Sequence, residues 1–308
     1  MACYAIIPTE PTTAAQPRTQ ESSAIDADRP ISVVTGASGG IGRWIALGLA
    51  RAGHHVILIG RDHARCEAAQ TWIAERAPRA STELVVADLS LLSATRDAGD
   101  AIAARHPGIA VLVNNAGIFD ATRILTAEGH ERVLATNLLS PFVLTRALLP
   151  ALRAGAPSRI VTVGSSTSDR ARIDPDRLVL GTRWTMVEAY GQSKLAAMMM
   201  TFAFAKKLEG SGTVANVVHP GLVASGLVRT GGAIGLVWRC LAPFALSEEQ
   251  GADTPLAAAL APEFANVSGA YLKTRRAVPP NPRARDPALV ARVWAAAQRL
   301  ADGPGAPS

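Results

Sequence analysis

Tyr190 and Lys194 stand four residues apart in the stretch YGQSK, and this pair offers acid–base chemistry. On a helix that spacing places both side chains on one face. A free tyrosine has a pKa of about 10, too high for proton exchange at neutral pH. A neighbouring ammonium favours the phenolate and lowers that value, making Tyr190 a usable acid or base. The chain holds only three Tyr and four Lys, so an accidental surface pair at this spacing is rare. Rarity alone does not name a reaction.

A second set of residues could hold a nucleotide. Thr35-Gly36-Ala37-Ser38-Gly39-Gly40-Ile41-Gly42 follows an apolar run and opens a helical stretch, the context a dinucleotide fingerprint requires. Glycines there permit positive φ and let the backbone approach a pyrophosphate, whose charge the helix N-terminus stabilises. Gly36, Ser38, Gly40, Ile41 and Gly42 are therefore expected cofactor contacts; a plain tight turn is the competing reading. The next apolar run ends Leu58-Ile59-Gly60-Arg61. An acid at that end suits the ribose hydroxyls of NAD, whereas Arg61 suits a 2′-phosphate. NADP(H) is expected over NAD(H), unless Arg61 merely opens a solvated helix. Small or polar clusters follow the later runs: Asp88-Leu89, Asn114-Asn115-Ala116-Gly117, Gly164-Ser165-Ser166 and His219-Pro220-Gly221. Each is compatible with simple turn chemistry; in order, behind successive apolar runs, they outline one site.

The elements that must position these groups are short β-branched runs alternating with longer helical stretches. Strands are predicted at Ile31 to Thr35, Val56 to Ile59, Leu84 to Val86, Ile109 to Val113, Arg159 to Val163 and Val214 to Val218. Helices are predicted at about Ile41 to Ala52, Ala64 to Arg76, from a Ser90 cap to Arg105, Thr136 to Arg153, Val187 to Leu208 and Pro287 to Leu300. Strands apolar on both faces and alternating with helices imply a parallel sheet covered on both sides. The fold class is α/β, a doubly wound parallel sheet in a single domain over residues 30–303. Ligands on such sheets bind beyond the carboxyl ends of the strands. Residues 1–29, rich in Thr, Ala, Pro, Gln and Ser, read as a disordered tail.

Composition argues against several classes. The formal net charge of +6 comes from Arg scattered along the chain, without a basic block, so nucleic acid is not an expected partner. Cys3, Cys66 and Cys240 lie far apart and read as free thiols in a reducing, cytoplasmic location. The six His show no helical metal spacing, and no metal is expected. The apolar run Ala5 to Ile7 is too short for a signal peptide. The longest apolar stretch, Leu195 to Ala205, is too short for a transmembrane segment. With Met198-Met199-Met200 it suits a buried helix or a subunit contact.

The ordered set Thr-Gly-x-x-x-Gly-Ile-Gly, Asp-Leu, Asn-Asn-Ala-Gly, Asn, Ser, Tyr-x-x-x-Lys and Pro-Gly resembles the short-chain dehydrogenase/reductase family over about residues 30–303. Thr136 to Phe142 (TNLLSPF), Tyr190 to Ala196 (YGQSKLA), His219-Pro220-Gly221, Ser247 to Ala252 (SEEQGA) and Ser268 to Tyr271 (SGAY) look closest to its retinol-dehydrogenase-like branch. The resemblance implies a Rossmann fold and an NADP(H)-dependent oxidoreductase moving hydride between nicotinamide and a carbonyl or alcohol carbon. It implies Tyr190 as acid in reduction and base in oxidation. Lys194 would hold the nicotinamide ribose and lower the Tyr190 pKa. Ser165, preferred over Ser166 by its offset from the fifth strand, would bond the substrate oxygen, and Asn137 would support a water-linked proton relay from Lys194. Asp88 with Leu89 would meet the adenine, Asn115 with Ala116 and Gly117 the adenosine ribose region, and Pro220, Gly221, Val223 and Ser225 the carboxamide. Thr162 stands where the family commonly has Asn, and Ser225 where it has Thr; both keep hydrogen-bonding capacity. The family's basic residue within the Gly-rich turn is absent, leaving the NADP preference to Arg61, helped by Ser38 and Arg43.

Two segments are expected around the substrate. One is Thr167 to Ala189, with Trp184 and Met186. The other is an apolar lid over about 222–246, with Leu227, Val228, Ile234, Val237, Trp238 and Phe244, unless these residues are helix packing or a subunit contact. A small lipophilic carbonyl or alcohol is the expected substrate. In the family the helices carrying Asn137 and Tyr190 often pair across subunits, so a homo-oligomer is possible. Two other activities stay open: net-neutral chemistry such as epimerisation or cyclisation at the same site, and nucleotide sensing without turnover. The Asn137, Ser165, Tyr190 and Lys194 set argues against the latter, since a sensor has no need of a proton relay.

Overall fold

Strands β1 (Ile31–Thr35) and β2 (His55–Gly60) bury side chains on both faces. Val33, Ile57 and Ile59 join one apolar cluster, while their neighbours Val34, Val56 and Leu58 join another across the sheet. A period-two strand between two cores has no face left for water. Each such side chain withdrawn from water contributes about 1.5–3 kcal/mol, so helices are held against the sheet from both sides.

The computed structural model describes residues 29–178, 184–223 and 245–303. After β1 come α1 (Gly40–Arg51), β2, α2 (His63–Arg76), β3 (Ser81–Val86), α3 (Leu92–Arg105), β4 (Val111–Asn114) and α4 (Arg132–Ala154). Then follow β5 (Ser158–Val163), α5 (Met186–Lys207), β6 (Thr213–His219), α6 (Glu248–Leu260), β7 (Tyr271–Lys273), β8 (Arg276–Val278) and α7 (Pro287–Asp302). The sheet order is β3-β2-β1-β4-β5-β6-β7-β8, parallel throughout except for the β7–β8 pair. The strand order reverses between β1 and β4, and such switch points are where ligands enter a crevice on doubly wound sheets. Helices α1, α2 and α6 cover one face; α3, α4, α5 and α7 cover the other.

Several elements depart from the sequence expectations. Ser90 does not cap α3. Glu128, from the segment before α4, accepts there from the Leu92 N–H (2.6 Å), the Ser93 N–H (2.9 Å) and the Ser93 hydroxyl (2.6 Å). A carboxylate with two oxygens satisfies more of the free N–H groups of a helix start than a serine can. Helix α4 begins at Arg132 rather than Thr136, capped by the Glu131 carboxylate, and residues Ala135–Leu139 form a π turn within it. Helix α6 and strands β7 and β8 were not anticipated. The Ser247–Gln250 capping box that starts α6 is visible as S-x-x-Q, but three-residue strands carry too little periodicity to read.

Helix α4 is the one described helix long and apolar enough to cross a membrane, yet 72% of its apolar window is buried inside this fold. The outer side of α4 and α5, expected to pair between subunits, carries α7. Trp294 meets Phe142 edge-on at 4.9 Å and Phe204 at 5.0 Å, and Arg146 pairs with Asp302 at 2.9 Å. Cys66 is a buried free thiol. Residues 1–28 with Cys3, and the lid residues 224–244 with Ser225, Leu227, Val228, Ile234, Val237, Trp238, Cys240 and Phe244, lie outside the described residues.

Candidate active site

Between β1 and α1 the chain turns within four residues, and Gly36 (φ 66°) and Gly40 (φ 58°) adopt the left-handed conformations this needs. A Cβ at Gly42 would lie 2.3 Å from the Gly36 carbonyl oxygen and 2.5 Å from Asn115 Nδ2, so the first turn of α1 packs directly on the loop before it. N-cap Gly39 has no side chain to cap α1, which leaves the first-turn N–H groups for an anion. The turn is clipped to β4 by Thr35. Its hydroxyl accepts from the Asn115 and Ala116 N–H groups, both at 2.9 Å, and the Asn115 amide donates back to the Thr35 carbonyl at 2.9 Å. These residues fit the pyrophosphate of a dinucleotide.

Around the turn, Ser38 lies beside Gly60, whose Cβ would come within 3.3 Å of it. Arg61 is exposed at the end of β2, and Asp88 is exposed beyond β3, its carboxylate accepting from the Ser90 N–H at 2.9 Å. Leu89 is 7% exposed and belongs to the core. Arg43, expected to help at the phosphate, is turned away: its guanidinium stacks 4.2 Å over Trp72 and faces Glu248. Arg65, which the sequence reading missed, reaches the turn instead, within 3.3 Å of where a Gly39 Cβ would stand. It lies one helical turn beyond Arg61, a spacing that could have signalled it. Ile41 and Val223 both pack against Gly251, which sets the segment Pro220–Val223 against the start of α1. Gly221 takes φ 88° and donates its N–H to His219 Nδ1 at 2.7 Å.

Thr185 caps α5, accepting from the Glu188 N–H at 3.3 Å, and the helix then carries Tyr190 and Lys194 on one face. The ammonium lies 5.9 Å from the Tyr190 ring centroid and donates to the Val163 carbonyl at 2.9 Å. A Cβ at Gly117 would approach Lys194 Nζ to 3.2 Å and Asn137 Oδ1 to 3.3 Å, so the loop after β4 leaves room for both. Asn137 sits in the π turn of α4. Its Oδ1 accepts from the Ile118 N–H (2.8 Å), and its Nδ2 donates to the Ile118 carbonyl (3.0 Å) and the Ser193 hydroxyl (3.1 Å). One amide thus ties α4, the β4 loop and α5 together.

Ser165 follows β5, and its hydroxyl oxygen accepts from the Thr167 hydroxyl at 3.0 Å. Behind it stands a cluster the sequence reading missed. The Tyr271 hydroxyl donates to Asp169 at 3.0 Å, Lys273 pairs with the same carboxylate, and Tyr271 also reaches the Ser165 carbonyl at 3.5 Å. Ser166 is exposed, opening a 3₁₀ turn. On the other side Phe119 meets Tyr190 edge-on at 4.8 Å, and Ile118 and Trp184 complete an apolar wall.

Burial pushes the Tyr190 pKa up, with the Ser165 side chain opposing it. Burial also brings Lys194 down to about 8. At neutral pH the pair is therefore a phenol able to donate and an ammonium close to its own titration. Asn137, Ser165, Tyr190 and Lys194 thus lie around one crevice with Gly117, and the Gly-rich turn lies across the switch point from them.

A short chain dehydrogenase family model matches residues 30–232. Human (Homo sapiens) retinol dehydrogenase 13 is 36% identical over 275 residues, covering 87% of this chain and 83% of that protein. Mouse (Mus musculus) polyprenol dehydrogenase is 36% identical over 286 residues, covering 90% and 85%. Among solved structures, a short chain dehydrogenase from Burkholderia cenocepacia J2315 in complex with NADP superposes with a TM-score of 0.65 at 28% identity, covering 79% of this chain and 95% of that one. With this match, this fold and this crevice, the chain belongs to the short-chain dehydrogenase/reductase family, in its retinol-dehydrogenase-like branch.

Proposed function

We propose that this oxidoreductase uses NADP(H) and interconverts a lipophilic alcohol and its carbonyl, with Tyr190 as the proton-transferring group. The carrying observation is the buried Tyr190–Lys194 pair converging with Gly117, Asn137 and Ser165 beside the Gly-rich turn. A nicotinamide held there would supply hydride in reduction and accept it in oxidation. In reduction Tyr190 gives its phenolic proton to the substrate oxygen, and Ser165 donates a hydrogen bond to that oxygen as charge builds there. Lys194 supplies positive charge that favours a transient phenolate, and Asn137 keeps Lys194 and the β4 loop in register. Arg61 at the end of β2 and Arg65 in the first turn of α2 support a 2′-phosphate, as does the NADP complex of the Burkholderia relative. The wall of Ile118, Phe119 and Trp184 and the names of the retinol and polyprenol relatives support an apolar substrate.

The test is a panel of lipophilic aldehydes, ketones and alcohols with NADPH and NADH, followed by nicotinamide absorbance. Tyr190→Phe is expected to bind NADPH as the wild type does and to lose turnover by at least about 100-fold. Arg61→Ala is expected to lower kcat/KM with NADPH by about tenfold or more, a loss of at least about 1.4 kcal/mol, and to leave NADH use nearly unchanged. Wild-type rates in Tyr190→Phe would remove the proton assignment; a wild-type preference for NADH would remove the cofactor assignment. Turnover supported by a mere trace of cofactor would point to net-neutral chemistry.

A further inference from the structure

At the end of the sheet away from the crevice, three ligand-type side chains meet from distant parts of the sequence. His55 opens β2, Glu83 is the third residue of β3, and His106 follows α3 as its C-cap. Histidine spacing gave no hint of this, because parallel pairing of β2 with β3 makes the neighbourhood. Both imidazoles are buried and Glu83 is half-buried. His106 Nε2 lies 2.9 Å and His55 Nε2 3.7 Å from the same oxygen, Glu83 Oε2. Arg105 pairs with the other oxygen, Oε1.

His55 supplies the second observation. Its Nδ1 is bonded to the Ser81 hydroxyl at 2.7 Å, and its Nε2, in a side chain only 4% exposed, is buried in the cluster without a hydrogen-bond partner. At 3.7 Å the nitrogen stands beyond hydrogen-bond reach of the carboxylate oxygen, so in either tautomer it is buried and unsatisfied. A cation between the two satisfies the nitrogen, which then binds as the neutral imidazole with its lone pair forward. We propose that His55, Glu83 and His106 form a site for a divalent transition-metal ion of the zinc class.

The three ligand atoms lie within 4.8 Å of one another. Zinc bonds of about 2.0–2.2 Å place tetrahedral ligands about 3.3–3.5 Å apart, so a contraction of up to about 1.4 Å at the widest pair, with about 0.5 Å of opening between His106 and Glu83, forms the site. Two imidazoles and one carboxylate suit zinc, cobalt or nickel better than the oxygen-seeking calcium or magnesium. The Ser81 bond orients one ligand and the Arg105 pair another, as outer partners of metal ligands do. Water completes the fourth position. The adjacent Arg105 cation works against the ion, so micromolar affinity is expected. The ion would pin β2, β3 and the end of α3, a structural role independent of turnover.

The full chain, stripped with a chelator, is titrated with zinc chloride by calorimetry and with cobalt(II) chloride by visible absorption. One ion per chain, the ligand-field bands of a four-coordinate cobalt site and a rise of the unfolding midpoint on zinc addition are expected. His106→Gln is expected to weaken zinc at least tenfold, and Arg105→Gln to tighten it severalfold by removing the competing charge. His63→Gln, which removes the exposed His63–Glu67 pair, is expected to change nothing. No saturable binding to the wild type overturns the proposal, as does binding lost in His63→Gln but kept in His106→Gln. If His106→Gln does not fold, the wild-type cobalt spectrum and the response of Arg105→Gln decide: six-coordinate cobalt bands with unchanged zinc affinity overturn it.

Discussion

Replacing Lys194 by methionine should stabilise the protein at neutral pH while removing turnover. Burial lowers the lysine from 10.5 to about 8, and each pH unit of that gap corresponds to about 1.4 kcal/mol. At about pH 7 the folded state therefore carries a penalty of about 3 kcal/mol for holding the charged amine out of water. Methionine keeps the aliphatic bulk and removes the charge. It also leaves the Val163 carbonyl without its 2.9 Å donor, at a cost of about 1 kcal/mol. The variant should be more stable by about 2 kcal/mol near pH 7. Above the unfolded pKa the amine is neutral in both states and no penalty exists. The penalty grows as pH falls below 10.5 and is complete below about 8. Wild-type stability should thus climb between those values by up to about 1.4 kcal/mol per pH unit, and the advantage of methionine should vanish near pH 10. Urea unfolding of both proteins without nucleotide, from about pH 7 to about pH 10, measures this difference while other titrating groups cancel. A methionine variant less stable at neutral pH, or a difference that ignores pH, would refute the buried-charge reasoning.

Three further outcomes follow from the same contacts. Glu128→Ala strips the cap from α3 and should cost about 1–2 kcal/mol in urea unfolding; no loss would show that the carboxylate only decorates the helix end. Gly42→Ala drives a methyl group onto a backbone oxygen 2.3 Å away and should weaken NADPH binding at least about tenfold, or about 1.4 kcal/mol, by fluorescence titration. Unaltered affinity would detach the nucleotide from that turn. Trp294→Ala removes a partly buried ring shared by Phe142 and Phe204 and should cost about 2–4 kcal/mol, measured by calorimetric unfolding; a wild-type midpoint would mean that α7 is loosely attached.

The strands were legible because both of their faces are buried, which writes a continuous apolar run for each. The Gly-rich turn and the Tyr190–Lys194 spacing were legible because they are local. What the sequence hid is set by distance. The Glu128 cap reaches α3 across 36 residues, and Asp169 meets Tyr271 across 102; no local pattern encodes either. The ammonium's bond to the Val163 carbonyl was hidden for a similar reason. A helical spacing fixes which face two side chains share but not where a flexible ammonium points, and a carbonyl on β5 claims it. Arg43 fails as a phosphate partner because Trp72, from another helix, offers its ring.

The position of α7 along the chain gives it an influence out of proportion to its length. Domains are synthesised from the amino terminus at about 5–20 residues per second, so the flanks of α4 and α5 emerge from the ribosome well before residues 287–302 can shield them. During that interval the rings of Phe142 and Phe204 have no Trp294 to rest on, and they form a sticky patch open to chaperones or to other nascent chains. Yield in a cell should therefore respond sharply to changes that delay or remove residues 287–302, although among the described residues α7 supplies none of the groups around Tyr190.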